Sequence, residues 1–118
     1  MSPAEPLWHA VGPVEQFTPE GITAVQLDGE PVAVYRTGGR FYASPDNCPH
    51  RNAPLTRLGR LEDGQVVCTW HGWRFNLADG NHPLIPGACI KMLPTQVIQG
   101  ELQLDLRPLR PQHDPWGF

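Results

Sequence analysis

Long uninterrupted stretches are what this sequence lacks. Its 118 residues include 12 glycines and 14 prolines, and no run free of both exceeds seven residues. An average helix of about 11–12 residues has nowhere to sit. Helical bundles, coiled coils and doubly wound α/β folds are excluded, which leaves short strands joined by turns. Strong charge is also absent. Nine Lys and Arg against twelve Asp and Glu give a formal net charge of −3, with no basic run, so no nucleic-acid partner is expected, since that needs a concentrated basic face. No apolar run approaches the ~20 residues that cross a bilayer, and the opening Met1-Ser2-Pro3-Ala4-Glu5-Pro6 lacks the basic and apolar stretches of a secretory leader. The expectation is a cytoplasmic protein without a membrane partner. Cysteine is scarce and odd in number: Cys48, Cys68 and Cys89 are read as ligands or thiols rather than as a disulfide framework. What is present suffices for one core, because Leu, Ile, Val and Phe number 28 and the composition is not that of a disordered chain.

Five turn dipeptides, Asp28-Gly29, Gly38-Gly39, Asp63-Gly64, Asp79-Gly80 and Gln99-Gly100, punctuate the chain and imply a meander of hairpins. Segments 22–27, 32–36 and 40–43 are expected to form one small sheet. Residues 101–106 alternate strictly, so Leu102, Leu104 and Leu106 should face a core and Glu101, Gln103 and Asp105 water. Val97 and Ile98 are expected in the partner strand. From 108 onward, Pro108, Pro111 and Pro115 read as an extended tail to 118.

Between the expected sheets lies a segment of different character, about 44–87. It holds Cys48-Pro49-His50 and, with 17 residues between His50 and the next cysteine, Cys68-Thr69-Trp70-His71. Two thiols and two imidazoles are a metal set by type. A mononuclear zinc site usually draws each arm from a close pair of like residues, whereas each arm here mixes one Cys with one His. In an extended loop, residues i and i+2 stand roughly 6–7 Å apart, a spacing suited to two different metal atoms. The arrangement points to a [2Fe–2S] cluster with Cys48 and Cys68 on one iron and His50 and His71 on the other. A structural zinc module remains the alternative.

With its neighbours Arg51-Asn52-Ala53-Pro54-Leu55 and Gly72-Trp73-Arg74-Phe75, this constellation resembles the Rieske family. The resemblance implies an all-β fold of three antiparallel sheets, with a cluster-binding subdomain (44–87) inserted in a single domain over 1–107. Imidazole ligation leaves the oxidised cluster neutral, where four thiolates would leave it doubly negative. The extra electron then costs less, which lifts the potential to about −150 to +300 mV from about −400 mV. The respiratory high-potential branch resembles a pattern with Ser and Tyr two and four residues after the second His. Trp73 and Phe75 stand there, and Ala53 and Trp70 replace that branch's extra cysteines. The low-potential branch of soluble ferredoxins and ring-hydroxylating oxygenases is favoured, with a potential near the low end of the range.

An oxygenase would also need a mononuclear iron on two histidines and a carboxylate. Only His9, His82 and His113 remain, so no catalytic site is expected. The resemblance implies a one-electron carrier between a flavin-dependent reductase and a terminal oxygenase or reductase. The alternative is a small electron-entry subunit of a larger reductase or oxygenase, as in nitrite reductases. Trp70 and Trp73 read as core packing or as a lid over the cluster. Gly72 and Phe75 flank it, and Pro86, in a Pro-containing loop, is a candidate shield. Arg51, Arg57, Arg60 and Arg74 read as solvated charges or a docking rim. Cys89 lies outside both arms.

Overall fold

The computed structural model describes residues 7–48, 54–69 and 72–109. Four of the five dipeptides sit at the tips of two-residue hairpins. Asp28/Gly29, Gly38/Gly39, Asp63/Gly64 and Gln99/Gly100 all take positive φ, between 49° and 79°. This left-handed pair is the turn that matches the twist of the flanking strands. Among the described residues nine strands result: β1 (Trp8–Pro13), β2 (Gly21–Leu27), β3 (Glu30–Thr37), β4 (Arg40–Pro45), β5 (Gly59–Glu62), β6 (Gln65–Cys68), β7 (Arg74–Asn76), β8 (Thr95–Ile98) and β9 (Glu101–Asp105). They form three antiparallel three-stranded sheets, ordered β1-β9-β8, β2-β3-β4 and β5-β6-β7. A single helical turn, α1 (Leu55–Leu58), precedes β5. Among the described residues no helix is long and apolar enough to cross a membrane.

The middle strand β3 explains how three sheets share two cores. Val32, Ala33, Val34 and Tyr35 are all buried, and alternate residues of a strand face opposite sides. Val32 and Val34 join Phe17, Leu27, Ala43, Leu93, Leu102, Leu104 and Leu106 in one core. Ala33 and Tyr35 join Cys48, Leu55, Val66, Cys68, Phe75, Leu77 and Ile90 in the other. The second core therefore contains both cysteines of the Cys/His motif, with β3 as its wall toward the first.

The fifth dipeptide behaves differently. Asp79-Gly80 does not join two paired strands. Instead Gly80 (φ 80°) meets the chain returning at Ile90, whose N–H donates to the Gly80 carbonyl at 2.7 Å. A Cβ there would run into the Ile90 carbonyl, so the close approach requires glycine. Strand β1 was not expected either. It is an edge strand with a bulge between Ala10 and Gly12, paired among the described residues only with β9, far along the chain, and its Gly12-Pro13 ending is tolerated because an edge leaves that side open.

The expectation that 101, 103 and 105 all face water is corrected at Asp105, which is buried, while Glu101 is exposed and Gln103 half-buried. The chain's first and last described segments converge on this carboxylate. Oδ1 accepts the backbone N–H of Leu7 (3.1 Å) and of Arg107 (3.0 Å). Oδ2 accepts Arg107 Nε at 2.8 Å and pairs with its Nη2 at 2.7 Å. Burial pushes the Asp105 pKa up, but these hydrogen bonds and the Arg107 charge together outweigh it and hold the carboxyl below its ordinary value. Where the tail was expected to begin, Arg107–Leu109 instead form a 3-10 turn; residues 110–118 lie outside the described residues.

A pH prediction follows from the depressed pKa. The clasp contributes stability above the unfolded carboxyl's value, about 3.9, and loses it as pH falls through the lower folded value. In urea unfolding, Asp105→Asn is expected to cost about 1–2 kcal/mol at pH 7. The difference from wild type should shrink as pH drops below about 4. A difference independent of pH would contradict the assigned role.

Candidate metal centre

The two cysteine arms are each closed by polar clasps and then sewn together. In the first, the Asp46 N–H donates to the Pro31 carbonyl at 3.0 Å, which fixes the chain where it leaves β4. The Asp46 carboxylate then reaches across to Thr56, accepting its N–H at Oδ1 (2.8 Å) and its hydroxyl at Oδ2 (2.6 Å). The segment leading to Cys48 is thereby tied to α1. Under the arm's root, the Tyr35 hydroxyl lies 2.8 Å from Ser44 Oγ, which donates to the Pro45 carbonyl at 2.9 Å. Burial pushes the Tyr35 phenol well above its ordinary range, so it stays protonated and donates.

The second arm is the tip between β6 and β7. The Cys68 N–H donates to the Trp73 carbonyl (2.7 Å), and the Gly72 N–H donates back to the Cys68 carbonyl (2.8 Å). Gly72 has φ 75° and is exposed. The Leu58 carbonyl at the end of α1 accepts both the N–H and the hydroxyl of Thr69, each at 2.7 Å. Register completes the join, with Gly59 opposite Cys68. The arms thus converge at one place.

Cys48 and Cys68 both have zero solvent exposure and share one apolar core with Leu55, Val66 and Phe75. None of the three cysteines is in a disulfide, and Cys89 is exposed, its backbone pairing with Asn81 in an isolated β-bridge. His50 and His71 lie outside the described residues, as do Arg51 and Trp70. Trp73 is half-buried and Phe75 fully buried, their ring centroids 6.2 Å apart. Pro86 is exposed. The arginines divide. Arg60 pairs with Glu62 at 2.8 Å, and Arg74 reaches the same carboxylate at 3.5 Å and Gln65 at 2.9 Å. These are exposed pairs, worth little to stability. Arg57 is exposed.

An open groove of about 630 Å³ runs between β4 and β8, and none of its lining residues belongs to either arm. The clasps Asp46–Thr56 and Thr69–Leu58 escaped the sequence reading because nothing local marks them. The only hint was a carboxylate and two hydroxyls flanking the motif.

Residues 7–94 match the family model for the Rieske [2Fe-2S] domain. The chain belongs to this family. A Rieske domain binds one [2Fe–2S] cluster, and the described part of the candidate donor set fits it: two thiols from separate segments, both buried in one core.

Among relatives, this Rieske chain is 28% identical over 100 residues to the anthranilate 1,2-dioxygenase ferredoxin subunit of Burkholderia cepacia, covering 84% of this chain and 92% of that one. It is 37% identical over 70 residues to the 4beta-methylsterol monooxygenase of Methylococcus capsulatus, covering 58% of this chain and only 19% of that protein. In structure it superposes with a TM-score of 0.74, at 31% identity, on a chain of a complex of reduced oxygenase and oxidised ferredoxin in carbazole 1,9a-dioxygenase. That match covers 86% of this chain and 94% of the other. The match therefore spans nearly the whole ferredoxin subunit but only about a fifth of the monooxygenase.

Proposed function

We propose that this Rieske chain is a one-electron carrier whose cluster is held by Cys48, His50, Cys68 and His71, within a single domain over 1–107. The observation that carries this reading is the convergence of the two arms, which brings Cys48 and Cys68 into one buried core. When bound, the cluster supplies reversible one-electron transfer in the potential range of mixed Cys/His ligation. The chain's own part is to hold two thiolates out of water on clasped loops, so that the geometry changes little when charge is gained or lost. A flavin-dependent reductase is the proposed donor and a terminal oxygenase the proposed acceptor. The span shared with a dioxygenase ferredoxin subunit and with a chain of an oxygenase–ferredoxin complex supports that pairing.

The test is stopped-flow absorbance of the purified protein. A flavoprotein ferredoxin reductase with NADH should bleach the visible bands by one electron per chain, and a Rieske oxygenase should restore them. A protein that the reductase and dithionite both leave unchanged would sink the reading.

A further inference from the structure

His82 is a residue for which neither the Cys/His motif nor the family match accounts. Two backbone donors converge on its Nδ1: the N–H of Leu84 at 3.0 Å and that of Ile85 at 3.2 Å. An atom that accepts two N–H groups carries its lone pair, so the ring's single proton sits on Nε2. The backbone of the same residue closes the loop, since the His82 N–H donates to the Ala88 carbonyl (2.9 Å) and the Ala88 N–H to the Ile85 carbonyl (3.2 Å). On its other side the ring stands edge-on to Trp73, centroids 5.3 Å apart, and to Phe75 at 5.9 Å. Trp73 is the residue whose carbonyl takes the Cys68 N–H.

We infer that His82 is a positioning residue that ties the 83–87 loop to the second cysteine arm, through its Nδ1 on one side and its ring on the other. The loop needs such a tie. Its residues 83–87 are all exposed, Leu84 to 83%, so burial of apolar surface does little to hold them, and the convergent hydrogen bonds set the loop's place. Histidine suits the position because it combines an acceptor at the δ1 position with a flat ring that packs on aromatics. The consequence for the site rests on the electron-carrier reading above: a loop held beside the Cys68 turn limits the access of water and oxygen to the cluster.

Two variants separate the two halves of the tie. His82→Phe keeps a ring against Trp73 and Phe75 but has no acceptor. His82→Asn gives up the ring but keeps an oxygen at the δ1 position. Hydrogen–deuterium exchange of the cluster-loaded protein is read on the peptide spanning 83–88, and loss of visible absorbance in air is timed alongside. His82→Phe is expected to speed exchange at Leu84 and Ile85 about tenfold and to shorten the cluster's lifetime in air severalfold. His82→Asn should restore the slow exchange at Leu84 and Ile85 but not the cluster's lifetime in air, because the ring contact with Trp73 and Phe75 is gone. Unchanged exchange in His82→Phe, equally fast exchange in the two variants, or a wild-type cluster lifetime in His82→Asn would overturn the inference. Preparations of wild type without iron and sulfide would instead count against the electron-carrier reading, and the exchange comparison would still decide whether Nδ1 holds the loop.

Discussion

Replacing Cys48, His50, Cys68 or His71 by Ala is expected to abolish both the visible absorption and the EPR signal of the dithionite-reduced protein, while Cys89→Ser leaves both intact. Each of the four is one of only two protein ligands on its iron in the proposed arrangement, so a single loss leaves that iron without half its anchorage. The arms give this prediction its structural force. Cys48 and Cys68 come from separate loops that meet in one core. Cys89, exposed and paired through its backbone with Asn81, belongs to neither. Iron and acid-labile sulfide measured on the folded variants check it. A variant lacking one of the four that keeps full iron and sulfide, or cluster loss in Cys89→Ser with an intact fold, would require a different ligand set.

Phe75→Ala should give the largest loss of stability among single core truncations near the site, about 3–5 kcal/mol. The ring is fully buried at the centre of the core that holds both cysteines, and it meets Trp73 at 6.2 Å and His82 at 5.9 Å. β7 is only three residues long, so it has little else with which to re-close the cavity. A domain stability of about 5–15 kcal/mol leaves little margin for such a cavity. The melting temperature of the anaerobic cluster-loaded protein should fall by about 15 °C or more, whereas Phe75→Leu should lose a small part of that. A drop of only a few degrees in Phe75→Ala would mean that the ring is not the keystone of this core.

The parts of the fold that could be read from sequence are those whose cause is local. A hairpin tip is decided by two residues willing to take positive φ, so 28–29, 38–39, 63–64 and 99–100 were legible, and the strands beside 28–29, 38–39 and 99–100 followed. The alternation at 102, 104 and 106 was legible for the same reason. Strand β1 was not, because its partner, β9, lies far along the chain and nothing in Trp8-His9-Ala10-Val11-Gly12-Pro13 alternates. Asp105 looked like one more solvated residue of an alternating strand. Its burial depends on Leu7 and Arg107 arriving together, which only the tertiary fold brings about.

At the site the difference is similar. Cys48 and Cys68 stood out in the sequence because few residue types bind iron and the spacing of the Cys/His motif is restrictive, and the structure brings these two into one buried core. Asp46, Thr56, Thr69 and His82 work by meeting groups on other turns, and polar residues in loops are too common for their spacing to show it. Of the residues named around the motif, the structure places Phe75 in the core, leaves Trp73 half-buried against His82, and leaves Gly72 and Pro86 exposed.

The most direct test of the central claim, mixed cysteine and histidine ligation of a one-electron centre, is a potentiometric titration at pH 7. It should show a single one-electron wave near the low end of the Rieske range, about −150 mV, because two neutral imidazoles replace two thiolates and Trp73 and Phe75 bring no hydroxyl to the sulfurs. A midpoint near about −400 mV, the value for four thiolates, or no redox wave at all, as for a zinc module, would contradict it.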